Sequence, residues 1–484
     1  MRKNNITGKR NAMLKKTKII CTMGPSCEDE ATLKLLIQNG MNVARFNFSH
    51  GGHEEQKTRF DRLVKVRDEL GIPVAALMDT KGPEIRLGVF ENGREVLEDG
   101  ATFILTTEEI AGTVEKATIT YKELKNDVQI GSTILINDGL IELEVQDITD
   151  TDIICKVIHG GVVSNKKGIN VPGVELSMPY LSEVDTKDIL FAVETGFDFI
   201  AASFVRTAED VKAIRALLDA KGSHVKIIAK IENRQGVENL DEILAVSNGI
   251  MVARGDMGVE IPFEEVPHIQ KAMIQKATLA QKHVITATQM LESMITNPRP
   301  TRAEVTDVAN AVYEGTTAIM LSGETAAGKY PVEAVATMSR IAMEAERNID
   351  YAKTLESRKL YTTDDLSSAI AYAACTTAVE INAAAIITVT ISGSTCKKVA
   401  SLKPPMPILG GSMHADVCRK MSLMWGVQSM HVDKKETEEE LFAEAIRVSK
   451  ENGYIKSGDR VVIVAGVPLG KVGSTNMIRV VDVE

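Results

Sequence analysis

Two stretches of this 484-residue chain space acidic and basic side chains in a way that chemistry can use. In Lys230-Ile231-Glu232-Asn233 a cation and a carboxylate stand two residues apart. On a strand such residues share a face, so Lys230 and Glu232 point together while Ile231 packs on the other side. Alone, the pair reads as a structural ion pair. The next apolar run, Met251-Val252-Ala253, ends in Arg254-Gly255-Asp256-Met257-Gly258, which sets Asp256 beside Glu232 if the two runs are adjacent strands. Two neighbouring carboxylates facing a cleft suit a hard divalent cation such as Mg²⁺, which accepts a few carboxylates and leaves positions for substrate oxygens. The glycines, Gly255 among them, let backbone N–H groups come close to an anion.

Other polar clusters follow the same logic. Arg45, Asn47 and Ser49 alternate with Phe46 and Phe48, so three polar side chains share one face. An arginine with neutral oxygen ligands beside it suits a phosphoryl group and a monovalent cation; a capped turn accounts for Ser49 but not for Arg45. Asp79-Thr80-Lys81-Gly82-Pro83-Glu84-Ile85-Arg86 adds oxygen donors and two cations. Thr288-Gln289 and Ser322-Gly323-Glu324-Thr325 each end an apolar run, where hydroxyls also serve as helix caps. Further on, Thr390, Ser392, Gly393, Ser394 and Thr395 lie where a strand gives way to a helix, and the exposed N–H groups and hydroxyls there form a ready phosphate seat. Ordinary N-capping accounts for the same residues.

The elements that must position these groups are short apolar runs, each ending in a polar residue and several followed by helical periodicity. They cover 17–21, 42–46, 74–78, 199–202, 225–231, 249–253, 283–287 and 318–321. Eight such βα units favour a closed parallel (β/α)8 TIM barrel of α/β class over an open doubly wound sheet, which periodicity alone does not exclude. Between the third and fourth runs the pattern changes to alternating segments at 102–106, 133–136, 141–145 and 153–157, punctuated by Asn92-Gly93, Asp99-Gly100, Asp138-Gly139 and Gly160-Gly161. That is a small all-β lid domain inserted at 82–179, within a barrel of 15–81 and 180–350. Runs at 384–389, 407–409, 429–432 and 460–465 alternate with helices in a C-terminal α/β domain, 351–484. Residues 1–14 read as an N-terminal extension, with Met13 a possible alternative start. The chain ends soon after the last of these runs, so no appended domain is expected.

Composition narrows the function classes. Apolar residues make up 44% and charged residues 25%, as in a soluble globular protein, and a length near 500 residues fits about three domains. With 66 acidic against 56 basic residues the net charge is −10, which gives no general attraction to nucleic acid or an anionic membrane. The longest uncharged stretch, 381–396, is too short and too polar to span a bilayer, and the basic amino terminus lacks a signal peptide's apolar region. Six scattered cysteines without a CxxC pair fit reduced thiols in a cytoplasm better than disulfides or a zinc site.

At the level of motifs the chain closely resembles the pyruvate kinase family. The resemblance rests on Thr-Lys-Ile-Ile-Cys-Thr-Met-Gly-Pro-Ser (17–26), Ala-Arg-Phe-Asn-Phe-Ser-His-Gly (44–51), Asp-Thr-Lys-Gly-Pro-Glu-Ile-Arg (79–86), Lys-Ile-Glu-Asn (230–233), Ala-Arg-Gly-Asp-Met-Gly (253–258), Ala-Thr-Gln-Met-Leu-Glu-Ser-Met (287–294), Pro-Arg-Pro-Thr-Arg-Ala-Glu (298–304) and Met-Leu-Ser-Gly-Glu-Thr-Ala (320–326). These occur in the family's order from about residue 15 onward.

The resemblance implies transfer of the phosphoryl group of phosphoenolpyruvate to ADP, giving pyruvate and ATP. It implies that Glu232 and Asp256 hold Mg²⁺ (or Mn²⁺), and that Arg45 and Lys230 stabilise the phosphoryl group, Lys230 also the enolate. Gly255, Asp256 and Thr288 would bind the substrate carboxylate, Thr288 lying near the route of enolate protonation. Asn47, Ser49, Asp79 and Thr80 match the family's K⁺ ligands, and a Glu at 84 goes with K⁺ dependence. His50, Arg86 and Lys167 match nucleotide-contacting positions, while Lys166-Lys167 also reads as a solvated basic turn. The 390–395 loop matches the family's allosteric site, but Ile391 and Ser394 replace basic residues of bisphosphate-regulated members, so an effector with one phosphate is expected. A cytoplasmic homotetramer is implied as well. Two rivals remain at this level: a Mg²⁺-dependent barrel lyase acting on pyruvate enolates, which needs neither lid nor Arg45, and a catalytically dead metabolite sensor, which needs none of the charged set.

Overall fold

A computed structural model describes residues 14–358, 365–468 and 475–484. Of the expected 1–14 extension, only Leu14 falls within the described residues.

Eight parallel strands close into a barrel: Lys18–Thr22, Val43–Asn47, Ala75–Asp79, Phe199–Ala202, Lys226–Ile231, Gly249–Ala253, His283–Ala287 and Ala318–Leu321. Each lies within a residue of its expected run. Alternation along the strands decides what goes where. Ile20, Leu77, Ile228, Met251 and Ile285 fill the interior, while Ile19, Phe46, Ile200, Ile231 and Val252 face outward into one continuous core beneath the helices. Ile231 thus packs outward between Lys230 and Glu232, as two-residue periodicity requires. The helices start on local signals: Ser182 and Thr301 each complete a capping box, accepting from the backbone three residues on while the acid there reaches back.

The chain between the third and fourth barrel strands forms a seven-stranded sheet and a two-stranded ribbon around a separate apolar core. The C-terminal sheet orders Val427–His431, Ile408–Ser412, Ala385–Val389 and Arg460–Gly466 in parallel, then adds Thr475–Asp482 antiparallel at one edge. The sequence reading had four strands here. The fifth was missed because its exposed positions carry Arg479 and Val480 side by side, which blurs the alternation expected of a half-buried strand.

This sheet's domain docks on the amino-terminal mouth of the barrel. Arg419 pairs with Asp198 just before the fourth strand, Ser422 hydroxyl donates to Pro73 O before the third, and Lys403 ammonium donates to Gly315 O before the eighth. Leu423 is packed into the barrel's interior cluster from below. That leaves the opposite, carboxyl-terminal rim open under the inserted sheet. Among the described residues no helix is long and apolar enough to cross a membrane, and all six cysteines are free and buried.

Candidate active site

At the carboxyl-terminal rim the interior-facing residues stop being apolar. Arg45, Asp79 and Lys230 come from three different strands, with Ser203 and Glu232 just beyond two strand ends, and all five are buried. Asp79 is the hub. Its Oδ2 accepts from Arg45 Nε at 2.6 Å and its Oδ1 lies 3.0 Å from Lys230 Nζ. Lys230 Nζ also donates to Ser203 Oγ at 2.7 Å and stands 2.9 Å from Glu232 Oε1. Arg45 Nη1 donates to Thr22 Oγ1 at 2.9 Å. Glu232 Oε2 accepts from Phe204 N at 2.5 Å, whereas its Oε1 has no aligned hydrogen bond, so Lys230 meets it as a charge contact only.

Electrostatics follow from burial against these contacts. Burial pushes Asp79 upward, but the Arg45 guanidinium and Lys230 ammonium outweigh it and hold the carboxyl below its ordinary range. Lys230, which burial alone would lower, is raised above its usual value by Asp79, Glu232 and Asp256. Glu232 goes the other way: burial, reinforced by Asp256 and only partly opposed by Lys230, pushes its carboxyl up to about 8. A buried carboxyl short of positive charge, with one unaligned oxygen and a second acid nearby, is a donor set that fits a divalent cation.

Asp256 lies in the first turn of the helix Arg254–Glu260, directly after the strand beside that of Lys230. The preceding Gly255 N–H donates to Thr288 Oγ1 at 2.7 Å. Thr288 therefore caps a helix, but it is the neighbouring unit's helix and not one following its own strand. Thr288 and Gln289 both have left-handed backbone, φ 68° and 54°, which for non-glycine residues costs on the order of 1–3 kcal/mol each. Arg254 secures that turn by donating to Thr288 O at 2.7 Å and Ala287 O at 3.2 Å while pairing with Asp307 at 2.6 Å.

Above the rim a cleft of about 570 Å³ runs between barrel and inserted sheet, lined by His50, Glu84, Arg86, Lys167, Asp256 and others. Residues from four separate sequence motifs meet there. Arg86 pairs with Glu84 at 2.6 Å, and Asn170 of the inserted sheet donates to Glu260 at 2.7 Å across the cleft. Asn47 Oδ1 accepts from Ser49 N at 3.1 Å, and Thr80 Oγ1 accepts from Ser203 N at 3.0 Å, so Asn47 adjoins Ser49 and Thr80 adjoins the charged cluster.

A family model described as pyruvate kinase, barrel domain, matches residues 14–335, and one described as pyruvate kinase, alpha/beta domain, matches 368–481. The chain belongs to the pyruvate kinase family. A pyruvate kinase of Geobacillus stearothermophilus is 49% identical over 97% of this chain and 80% of its own length, and one of Staphylococcus aureus (strain MRSA252) is 48% identical over 96% and 80%. The crystal structure of a pyruvate kinase from Cryptosporidium parvum superposes with a TM-score of 0.92 at 40% identity, over 97% of this chain and 96% of that one. Membership makes the chain a phosphotransferase with pyruvate kinase function. The family implies phosphoenolpyruvate and ADP as substrates and a dependence on metal ions.

For a pyruvate kinase, two residues to which the sequence assigns no role stand out. Ser203 directly ends the fourth apolar run, and the rule that each run ends in a polar residue would have found it. Arg254 stands inside a motif but its role had no such signal, because its side-chain partners lie 16 to 53 residues away. The 390–395 loop lies apart from the rim, on the domain docked at the barrel's other end. Its hydroxyls are less open than expected: Thr390 Oγ1 accepts from Gly393 N at 3.0 Å and the buried Thr395 hydroxyl bonds Thr475 Oγ1 at 2.7 Å. Ser392 is exposed and Ser394 half-buried.

Proposed function

We propose that this chain moves the phosphoryl group of phosphoenolpyruvate to ADP at the barrel rim, with Lys230, Arg45 and Thr288 as catalytic residues and Gly255 and Asp256 completing the substrate site. The observation that carries the reading is Lys230, buried between Asp79 and Glu232 beside Arg45 and beneath an open cleft. Phosphoryl transfer asks a protein chiefly for alignment and charge. Arg45 commits Nε and one Nη1 proton to protein, which leaves three N–H donors for a phosphoryl group. Lys230 has three protons and three partners; an incoming substrate oxygen competes most easily with Glu232, the unaligned one. The same ammonium then faces the enolate oxygen left when the phosphoryl group departs. Thr288, held in its strained turn, accepts from Gly255 N–H and donates its hydroxyl proton to Ala287 O at 2.6 Å; turning that proton toward the cleft would serve the carboxylate and delivery of a proton through water.

In this reading Glu232 and Asp256 hold Mg²⁺ or Mn²⁺, which supplies Lewis-acid charge to substrate oxygens. Asn47, Ser49, Asp79 and Thr80 hold K⁺, which adds positive charge beside Arg45. His50, Arg86 and Lys167 contact the nucleotide, and the 82–179 lid, hinged on the 15–81 and 180–350 barrel, closes to exclude water. A phosphorylated effector with one phosphate binds Thr390, Ser392, Gly393, Ser394 and Thr395 in the 351–484 domain. Because two of those hydroxyls are internally bonded, the contact falls mainly to Ser392, Ser394 and backbone N–H groups. The enzyme works as a cytoplasmic homotetramer, which mass measurement in solution checks.

A lactate-dehydrogenase-coupled assay tests the cation reading. Activity is expected to need a divalent cation and to collapse when K⁺ is replaced by a large organic cation; undiminished rates without K⁺ would remove the K⁺ site. Pyruvate release that does not depend on ADP would point to the lyase instead.

A further inference from the structure

The joint between the barrel's amino-terminal mouth and the C-terminal domain holds a half-open cavity of about 40 Å³. Its polar lining is unusual in sign: four cations, Lys282, Arg358, Lys397 and Lys403, face it, and among the described residues no carboxylate does; His283 lines it as a neutral imidazole, since burial and the neighbouring lysines push it down to about 3. Arg358 and Lys403 are partly satisfied, donating to Ser401 O and to Gly315 O, and Glu346 is the carboxylate within electrostatic reach of Lys403. Lys282 donates to Ser247 O at 2.8 Å. Lys397 is different. Its ammonium has no hydrogen bond or ion pair among the described residues, and the charges it feels are Lys282, Lys226 and Lys398. The His283 ring, nine-tenths buried, likewise has no hydrogen bond among the described residues and stands edge-on to Phe199, at 6.4 Å between centroids. Lys403 is buried and Lys282, Arg358 and Lys397 are half-buried; cations gathered in this way without an acid repel one another and lose part of their hydration, a cost that an anion joining them would offset. Roughly three water-sized volumes fit in 40 Å³, enough for a tetrahedral oxyanion.

We propose that this joint is an oxyanion site, separate from the 390–395 loop, where a phosphate-class dianion bridges Lys397, Lys282 and His283 and fastens the Ser394–Ser401 helix to the barrel mouth. The dianion offsets the charges of Lys397 and Lys282 and gives the unpartnered ammonium and imidazole N–H an acceptor. A single-point anchor at that helix couples anion binding to the seating of the whole domain. The site does not depend on the effector reading of the loop, which begins seven residues upstream of Lys397.

Calorimetric titration with inorganic phosphate, against chloride of equal ionic strength, tests it. The full-length protein is expected to bind phosphate, with Lys397→Gln and Lys282→Gln each weakening that component by about tenfold or more. Ser392→Ala at the loop is expected to leave it unchanged. Lys397→Gln should also melt higher than the parent in phosphate-free buffer, since it removes an uncompensated charge. Methyl phosphate distinguishes the source: its binding supports a phosphomonoester end as ligand, its exclusion with phosphate still bound supports the free ion. Phosphate acting no differently from chloride, or both lysine variants binding it as tightly as the parent, would overturn the proposal.

Discussion

Lys230 is the residue on which most of the site's charge converges, and its three contacts predict how removal behaves. In Lys230→Met, Asp79 keeps Arg45, while Glu232, already pushed up to about 8 by burial, can take a proton instead of remaining an unpaired buried charge. The fold should therefore survive. Turnover is expected to fall by about 10²–10³ or more, the usual cost of deleting one preorganised electrostatic donor. A coupled assay with a parallel melting curve separates the two, and near-normal turnover would remove Lys230 from the mechanism. The Lys230–Glu232 pairing was legible in the sequence because two-residue spacing on a strand leaves little freedom. Its third partner, Asp79, was legible only as an oxygen donor in another motif; its role as a hub for two cations depends on strand order and closure, which no local pattern encodes.

Among the elements, the turn after the seventh strand concentrates strain and chemistry in the same place. Thr288 at φ 68° would be more at ease as glycine, yet its hydroxyl is the acceptor for Gly255 N–H. Thr288→Gly thus trades relief of backbone strain against loss of a cap worth about 0.5–2 kcal/mol, and stability should change little. Activity should not be spared: turnover is expected to drop by about 10², within the range for loss of a group in proton delivery, while Thr288→Ser stays close to the parent. Equal turnover in Thr288→Gly and Thr288→Ser would assign the hydroxyl a purely structural task. The sequence marked Thr288 only as one more hydroxyl at the end of a run. A left-handed threonine leaves no trace in composition or periodicity, and the Arg254 grip that sustains it is made by long-range contacts. The barrel strands themselves were legible to within a residue, because burial on both faces writes a continuous apolar run that a polar residue at the active rim interrupts.

Across the whole molecule, the charged rim and the charged joint lie at opposite ends of one barrel, and the sequence disclosed the first far better than the second. Lys282, Lys397 and Lys403 come from three separate segments, each unremarkable where it stands; only docking of the C-terminal domain gathers them. That gathering has a pH signature. Burial, with Lys282, Lys226 and Lys398 nearby, lowers Lys397 from 10.5 to about 8 in the folded protein. A cation with a depressed folded value carries its full stability penalty below about pH 8, where both states are protonated. Between 8 and 10.5 the unfolded chain binds the extra proton, so stability rises with pH until the penalty is gone. Buried thiols with raised values oppose this above about pH 9, and Glu232 acts in the opposite sense below 8. Comparing the parent with Lys397→Gln cancels those shared contributions. In phosphate-free buffer the variant's advantage in urea denaturation is expected to be largest at or below pH 8 and to shrink steadily toward pH 10.5. A gap that stays constant across that range would mean Lys397 keeps its proton throughout and feels no uncompensated charge at the joint.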